Sequence, residues 1–341
     1  MMPKISVVIP AYNAANTLAQ CLAALRRQVD VPGPFEVIVV DDGSDDATAE
    51  VARGFGVTLL QQSHAGPAAA RNRGIQAARG ELVFFTDADC IPADDWLTAM
   101  AQPFAAWPQV VGCKGVYATR QREFIARFAQ AEYEMRYQTL AAHETIDFVD
   151  AYSAGYRRSV LLAAGGFDTS FTSAAAEDTE LAFRLSAQGH RLVFNPDAIV
   201  WHRHSPTLLS YLRRKARYSF WQARVYARHP SKMRGDSHTP PALWWQLPLS
   251  SVGTLAGMLS LFWKPATWLL AGCLALFVLT CLSFVRQSAR QGPLLALATP
   301  ILLWLRALTM VGGLLAGMLC LIPDWLVPSA VTPEPVEEPR R

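Results

Sequence analysis

No two cysteines in this chain are spaced as CxxC, and none falls at a zinc-site interval from a histidine. Cys21, Cys90, Cys113, Cys273, Cys281 and Cys320 are scattered. They read as buried, reduced thiols, which places the first part of the chain in a reducing compartment. The GxGxxG dinucleotide fingerprint is missing, and so is a GxxxxGK[ST] phosphate loop; both absences argue against dehydrogenases and P-loop NTPases. The opening "MMPKISVVIP" holds one lysine and about five apolar residues, too few for a secretory signal peptide. The expectation is a chain that begins as a cytoplasmic domain. A net charge of +3 is too small to indicate a partner. Charge is nevertheless scarce in one region. From Pro241 to Pro323 only Lys264, Arg286, Arg290 and Arg306 are charged, and the apolar runs there reach the roughly 20 residues that cross a bilayer.

The first 240 residues carry charges throughout and short periodic elements. Ile5 to Ile9 reads as a buried strand stopped by Pro10, followed by a helix to about Gln28. Phe35 to Val40 is a second strand running into "DDGSDDAT", where Gly43 suits a turn and a helix follows over Ala47 to Arg53. Val57 to Leu60 gives a third strand, Pro67 to Arg79 a helix with proline in its first turn, and Leu82 to Phe85 a wholly apolar fourth strand. Apolar strands alternating with helices predict a mostly parallel sheet covered on both faces. Ligands of such sheets gather beyond the carboxyl ends of the strands. "PAYN", "DDGS" and "TDAD" stand at three of those ends. Further on, Gln121 to Ala142 reads as a helix, "AGYRRSVLLAAGGFD" as a helix ended by Gly165-Gly166, and "EDTELAFRLSAQGH" as a helix with Glu177 and Asp178 in its first turn.

Asp87 and Asp89 can share a divalent cation, which relieves their repulsion and leaves room for phosphate oxygens. They can equally serve as helix caps, with Asp94 and Asp95 close behind. Glu177-Asp178 is either a favourable charge at a helix N-terminus or a carboxylate placed to take a proton from an attacking hydroxyl. His64, Arg71 and Arg73 near a helix start suit an anion, or form a solvated basic face.

The order of these strings is itself informative. "VVIPAYNAANTL", "VIVVDDGSDDAT", "AGPAAARNRGI", "FFTDADC", "AGGFD", "EDTELAFRL" and "VWHRH", over roughly residues 4 to 230, resemble the family 2 glycosyltransferases, whose domain has the GT-A fold. The resemblance implies inverting transfer of a sugar from a nucleotide-sugar, preferably UDP-linked, assisted by Mg2+ or Mn2+. By position, Pro10, Tyr12 and Asp41 would line the nucleobase pocket with Asp42 beside it, Arg71 would sit near the nucleotide and Asp87 near the ribose. Asp89 would hold the metal, with His202, or else His204, as a further ligand; Asp178 would be the base, supported by Glu177. His64 stands where many relatives have Asn. The processive synthases' Gln-x-x-Arg-Trp string is absent; "SFWQARVY" has Trp221, Gln222 and Arg224 in another order.

Between Ala198 and Gly235 nine Lys or Arg residues occur without an acid, interleaved with Tyr211, Tyr218, Phe220, Trp221 and Tyr226. Such a pattern can bind nucleic acid, but beside an apolar region it reads better as a surface for an anionic leaflet, able to guide a phosphorylated lipid acceptor. The expected organisation is a GT-A domain over 1–235, including a basic juxtamembrane segment at 203–235, a membrane region over 241–323 with two to four helices, and a disordered tail at 324–341. Spans are expected at about 243–263 and 266–285, with Arg286 and Arg290 returning to the cytoplasm. One span plus an interfacial or re-entrant helix is expected over 293–322. The functional expectation is a multi-pass protein of the cytoplasmic (inner) membrane that adds one sugar to a lipid or lipid-linked acceptor in cell-envelope synthesis, with no nucleic-acid partner. A processive polysaccharide synthase and a non-catalytic nucleotide-sugar-binding scaffold are the alternatives.

Overall fold

A computed structural model describes residues 3–173 and 175–326, with 322–326 given by backbone alone. In chain order the elements are β1 (Ile5–Ala11), α1 (Ala15–Arg26), β2 (Phe35–Asp41), α2 (Thr48–Gly54), β3 (Thr58–Gln61), α3 (Pro67–Ala77), β4 (Leu82–Thr86), β5 (Ile91–Pro92), α4 (Trp96–Ala106) and β6 (Val110–Ala118). There follow α5 (Phe124–Ala141), β7 (Ser153–Arg157), α6 (Arg158–Ala163), α7 (Glu177–Ala187), β8 (Arg191–Trp201), α8 (Leu208–Arg228), α9 (Pro241–Ser260), α10 (Ala266–Gln291) and α11 (Pro293–Leu326).

The strands form one sheet in the order β3-β2-β1-β4-β7-β6-β8-β5. It is parallel across β3, β2, β1 and β4, as the alternating pattern predicts. Beyond β4 it becomes mixed: β7 runs antiparallel to both β4 and β6, β8 parallel to β6, and β5 antiparallel to β8. Alternate side chains of a strand face opposite sides. Accordingly Val7, Ile9 and Phe84 enter the layer with α1 and α4, whereas Val8, Val83 and Phe85 enter the layer with α3 and α7. The sheet's parallel half ends at Ala11, Asp41 and Thr86, so the three acidic or polar clusters meet at one rim.

The segment expected to be one helix over "AGYRRSVLLAAGG" is a strand, β7, followed by the short α6. Period-2 alternation cannot mark β7 because both faces are covered: Ser153, Ala154, Gly155 and Tyr156 are all buried.

The C-terminal helices pack on the catalytic half through a third apolar cluster, in which Phe128 of α5 and Tyr211 of α8 meet Phe277 and Phe284 of α10 and Leu303 of α11. α8 and α11 cross closely, because Gly313 and Gly317 present no side chain there. A Cβ on Gly313 would stand 2.3 Å from the Ala216 carbonyl oxygen, and one on Gly317 2.2 Å from that of Phe220. Two helices, at Ala266–Gln291 and Pro293–Leu321, are long and apolar enough to cross a membrane. α9, which covers the first expected span, is not among them; it carries Gln246, Pro248, Ser250, Ser251 and Thr254. The 293–322 stretch is one unbroken helix rather than a span and a re-entrant piece. Its Arg306 does not interrupt it because the guanidinium is buried against protein: Nη1 donates to Glu132 of α5 at 2.6 Å and Nη2 to Gln246 of α9 at 2.5 Å. Of the tail expected from 324, the first three residues continue α11 and the rest lies outside the described residues.

Candidate active site

Asp41 and Asp42 end β2 but face different ways. Asp41 is buried in its own turn: Oδ1 accepts from the Ser44 N–H at 3.0 Å and Oδ2 from Gln61 at 3.0 Å. Asp42 gathers the next loop, accepting from Gln62 (2.7 Å) and from the N–H groups of Ala65 (3.0 Å) and Gly66 (2.9 Å). Gly66 makes that last bond with φ +91°, and a Cβ there would lie 2.9 Å from the Thr172 carbonyl oxygen, so the loop requires glycine. The Tyr12 and His64 rings lie 4.2 Å apart, centre to centre, at the mouth of a cleft of about 640 Å³. Pro10, Tyr12, Asp42, Arg71, Asp87 and Asp89 all line that cleft, whereas Asp41, expected on its wall, does not.

Arg71, in α3, is the junction. It is buried, and its Nη2 donates to Asp87 at 3.0 Å while Nη1 donates to Glu177 at 2.6 Å. Glu177's other oxygen accepts from the N–H groups of Ala175 (3.0 Å) and Ala176 (3.1 Å). With both oxygens engaged, Glu177 holds the start of α7 and leaves the neighbouring carboxylate to face a second cavity. That cavity, about 140 Å³, shares Arg71 and Asp87 with the first and is lined by Asp178, Asp150, Tyr117 and Tyr152. Asp178 accepts from the Ala151 N–H at 3.0 Å and the Thr179 N–H at 2.8 Å. Burial, then the charges of Glu177 and Asp150, push its carboxyl up to about 7, the range in which a general base takes and releases protons.

Asp89, half-exposed, lies beside buried His202, with Oδ2 and Nδ1 3.7 Å apart, and Cys90 completes a cluster whose ligand atoms fall within 4.8 Å. His202 Nε2 is buried without a hydrogen-bond partner among the described residues, while the ring stacks on Tyr117 at 4.4 Å. A carboxylate beside an orphaned imidazole nitrogen suits Mg2+ or Mn2+ better than the soft thiol does, so Asp89 and His202 fit a divalent cation. His204 is committed elsewhere, its Nε2 to Gln130 at 2.8 Å. The alternative of helix caps fails for Asp87 and Asp89, since the next helix starts at Trp96 without any side-chain cap.

Sequence reasoning missed Asp150 and Lys114. Lys114 is fully buried, pairs with Asp150 and donates to Tyr152 at 3.0 Å. The available signal was positional: Asp150 stands just before a strand in "FVDAYSAG", but that strand itself went unread.

A half-parallel sheet with acidic strand ends at one rim, two cavities joined by one arginine and a carboxylate on each side define a GT-A type of fold. Accordingly, the mannosyltransferase PcManGT from Pyrobaculum calidifontis, solved in complex with GDP-Man and Mn2+, superposes with a TM-score of 0.57 over 95% of this chain and 88% of that one, at 24% identity. Residues 6–163 match the Glycosyl transferase family 2 model, and the chain belongs to that family through this domain. Among relatives, the pre-mycofactocin glycosyltransferase of Mycobacterium tuberculosis is 32% identical over 266 residues, which is 75% of this chain and 54% of that protein. The validoxylamine A glucosyltransferase of Streptomyces hygroscopicus is 28% identical over 286 residues, 72% of this chain and 59% of the relative. The chain thus spans little more than half the length of these proteins.

Proposed function

We propose that the protein transfers a single sugar, with inversion, from a nucleotide-sugar to a hydroxyl of a lipid or lipid-linked acceptor at the cytoplasmic face of a membrane. The observation that carries this reading is the pair of cavities meeting at Arg71 and Asp87, with Asp178 on one side and Asp89 on the other. The nucleoside fits the first cleft, its base against the Tyr12 and His64 rings. The acceptor fits the second, its hydroxyl at Asp178.

In the reaction the acceptor oxygen forms a bond to the anomeric carbon on the face opposite the leaving group. The bond from that carbon to the diphosphate oxygen breaks, its electron pair leaving with the diphosphate. Asp178 takes the hydroxyl proton, and Glu177 and Arg71 hold α7 so that this carboxylate stays in place. A divalent cation held by Asp89 and His202 would supply charge neutralisation of the diphosphate. His202→Ala is expected to weaken Mn2+ binding roughly 10- to 100-fold, read by calorimetry with Mn2+ alone; unchanged affinity would remove His202 from the site.

The membrane setting is supported by the two helices of spanning length and by the basic face of α8. Multi-pass insertion in the inner membrane, contact with anionic lipid and a role in the cell envelope belong to this reading. Part of the basic stretch is internally paired: Lys215 binds Glu132 at 2.9 Å, Lys232 binds Asp147 at 2.5 Å, and Arg228 binds Asp168. With labelled donor and a membrane extract as acceptor source, a product enlarged by one sugar is expected. A ladder of longer products would instead favour a processive synthase, and a donor that binds but never turns over would favour a scaffold.

A further inference from the structure

The second cavity holds more positive charge than its carboxylates account for. Four of the cations at or near it are already paired: Arg71 with Asp87 and Glu177, Lys114 with Asp150, and both Lys215 and Arg306 with Glu132. Arg136 of α5 and Arg214 and Arg217 of α8 line the same cavity. Among the described residues none of these three has a carboxylate at ion-pair distance; the Tyr133 ring, 5.8 Å from the Arg136 guanidinium, is its one close aromatic neighbour. Three guanidiniums without carboxylates, beside a proton-accepting Asp178, form a place for an anion rather than for a neutral sugar chain.

Arg136 and Tyr218 also belong to a second, narrower space. It is a slot between α8, the 238–240 turn, α9 and α11, walled by Leu243, Trp244, Leu247, Met310 and Leu314. Two buried polar atoms on its wall, Ser219 Oγ and His238 Nδ1, have no hydrogen-bond partner among the described residues. From Asp178 outward the chemistry therefore changes in a fixed order: a carboxylate base, then guanidiniums with unpartnered polar atoms at a neck, then an apolar slot between helices that include one of membrane-spanning length. The nucleotide-sugar does not match that order. Its cleft is lined by neither Arg136 nor Tyr218, and a nucleotide has no apolar chain to place between α9 and α11.

Resting on the glycosyltransferase reading above, we propose that the neck anchors the acceptor through a phosphate: the acceptor is a phosphorylated long-chain amphiphile. Arg136, with Arg214 and Arg217, binds the phosphate, the chain lies in the slot, and the hydroxylated head reaches Asp178. The slot is narrow as it stands, about 50 Å³. A chain enters by displacing Met310 and Leu314, and an unbranched thioether side chain gives way readily.

The test measures binding of three probes to the full chain in neutral detergent by calorimetry: phytanyl phosphate, phytanol and inorganic phosphate. Donor nucleotide binding is read on the same preparations. Phytanyl phosphate is expected to bind at least ~100-fold more tightly than either fragment, since charge-assisted bonds and chain burial act together. Arg136→Gln should weaken it about tenfold or more, with Arg136→Lys intermediate and phytanol unaffected. Leu314→Trp, which fills the slot, should weaken phytanyl phosphate and leave the nucleotide's affinity unchanged. Inorganic phosphate binding as tightly as phytanyl phosphate would overturn the proposal in favour of a free-phosphate site. Equal binding of phytanol, or full affinity in Arg136→Gln, would overturn it by removing anion recognition. The ranking of the three probes on the unmodified protein decides the matter even where a variant fails to fold. Donor binding without phytanyl phosphate binding sinks the anchor alone, whereas absence of donor binding sinks the glycosyltransferase reading.

Discussion

Replacing Asp178 with Asn is expected to lower kcat/KM by about 100- to 10,000-fold, the usual contribution of a positioned general base, while nucleotide-sugar binding is retained. The asymmetry follows from the position of the side chain. Asp178 lines the second cavity and not the first, so its charge bears on the acceptor proton and not on the nucleotide. The variant should remain folded. Asn can still accept from the Thr179 N–H, and relief of a charge crowded by Glu177 and Asp150 offsets the loss of an acceptor for Ala151. Labelled-donor transfer and donor binding, measured on one preparation, check it; turnover close to that of the unmodified protein would exclude Asp178 as base.

The same carboxyl sets a pH dependence. A base must be unprotonated to act, and the Asp178 carboxyl is pushed up to about 7 by burial, Glu177 and Asp150, with Arg71 and the Ala151 N–H opposing. Activity is therefore present above about 7 and is lost as pH falls through that value. Asp150→Asn removes one of the charges that raise it and leaves the Lys114 ammonium without its partner. Both changes favour the ionised form of Asp178, so the acid limb should move to lower pH. A limb that moves upward, or not at all, would show that another group titrates.

The parallel half of the fold is legible in the sequence because it is written in continuous apolar runs ended by polar clusters. Ile5–Ala11, Phe35–Asp41 and Leu82–Thr86 bury both faces, and each stops where its backbone reaches the cleft. Local chemistry also marks Asp89 and Asp178. The parts not legible are those that depend on distant chain. β7 has no alternation to read. Arg306 looks like a charge that should break a span, and only its contact with Glu132, far back in α5, makes one long helix of 293–326. Asp41 and Asp42 are indistinguishable by type and order; which one faces the cleft is decided by the partners offered by Gln61, Gln62 and Gly66. Similarly, His202 and His204 separate only because Gln130 captures the second.

Arg71→Met is expected to have the largest effect on stability. The guanidinium is buried between Asp87, which is partly exposed, and Glu177, which is almost fully buried. Removing one partner of a buried pair typically costs about 3–5 kcal/mol, because the remaining charge keeps its desolvation penalty and loses its compensation. Here the lower end, about 3 kcal/mol, is expected, since Glu177 Oε2 keeps the Ala175 and Ala176 N–H groups and Asp87 is open to water. For a domain of this size that lowers the unfolding midpoint by roughly 6–12 °C. Arg71→Lys should fall between the two proteins: an ammonium restores the charge but cannot reach both carboxylates with the planar fork that guanidinium provides. Function should track the same order, because Arg71 lies on the walls of both cavities and fixes the start of α7, on which Asp178 sits. A methionine variant as stable as the unmodified protein would mean that Glu177 is held by the backbone alone, and that the link between donor and acceptor sides runs elsewhere.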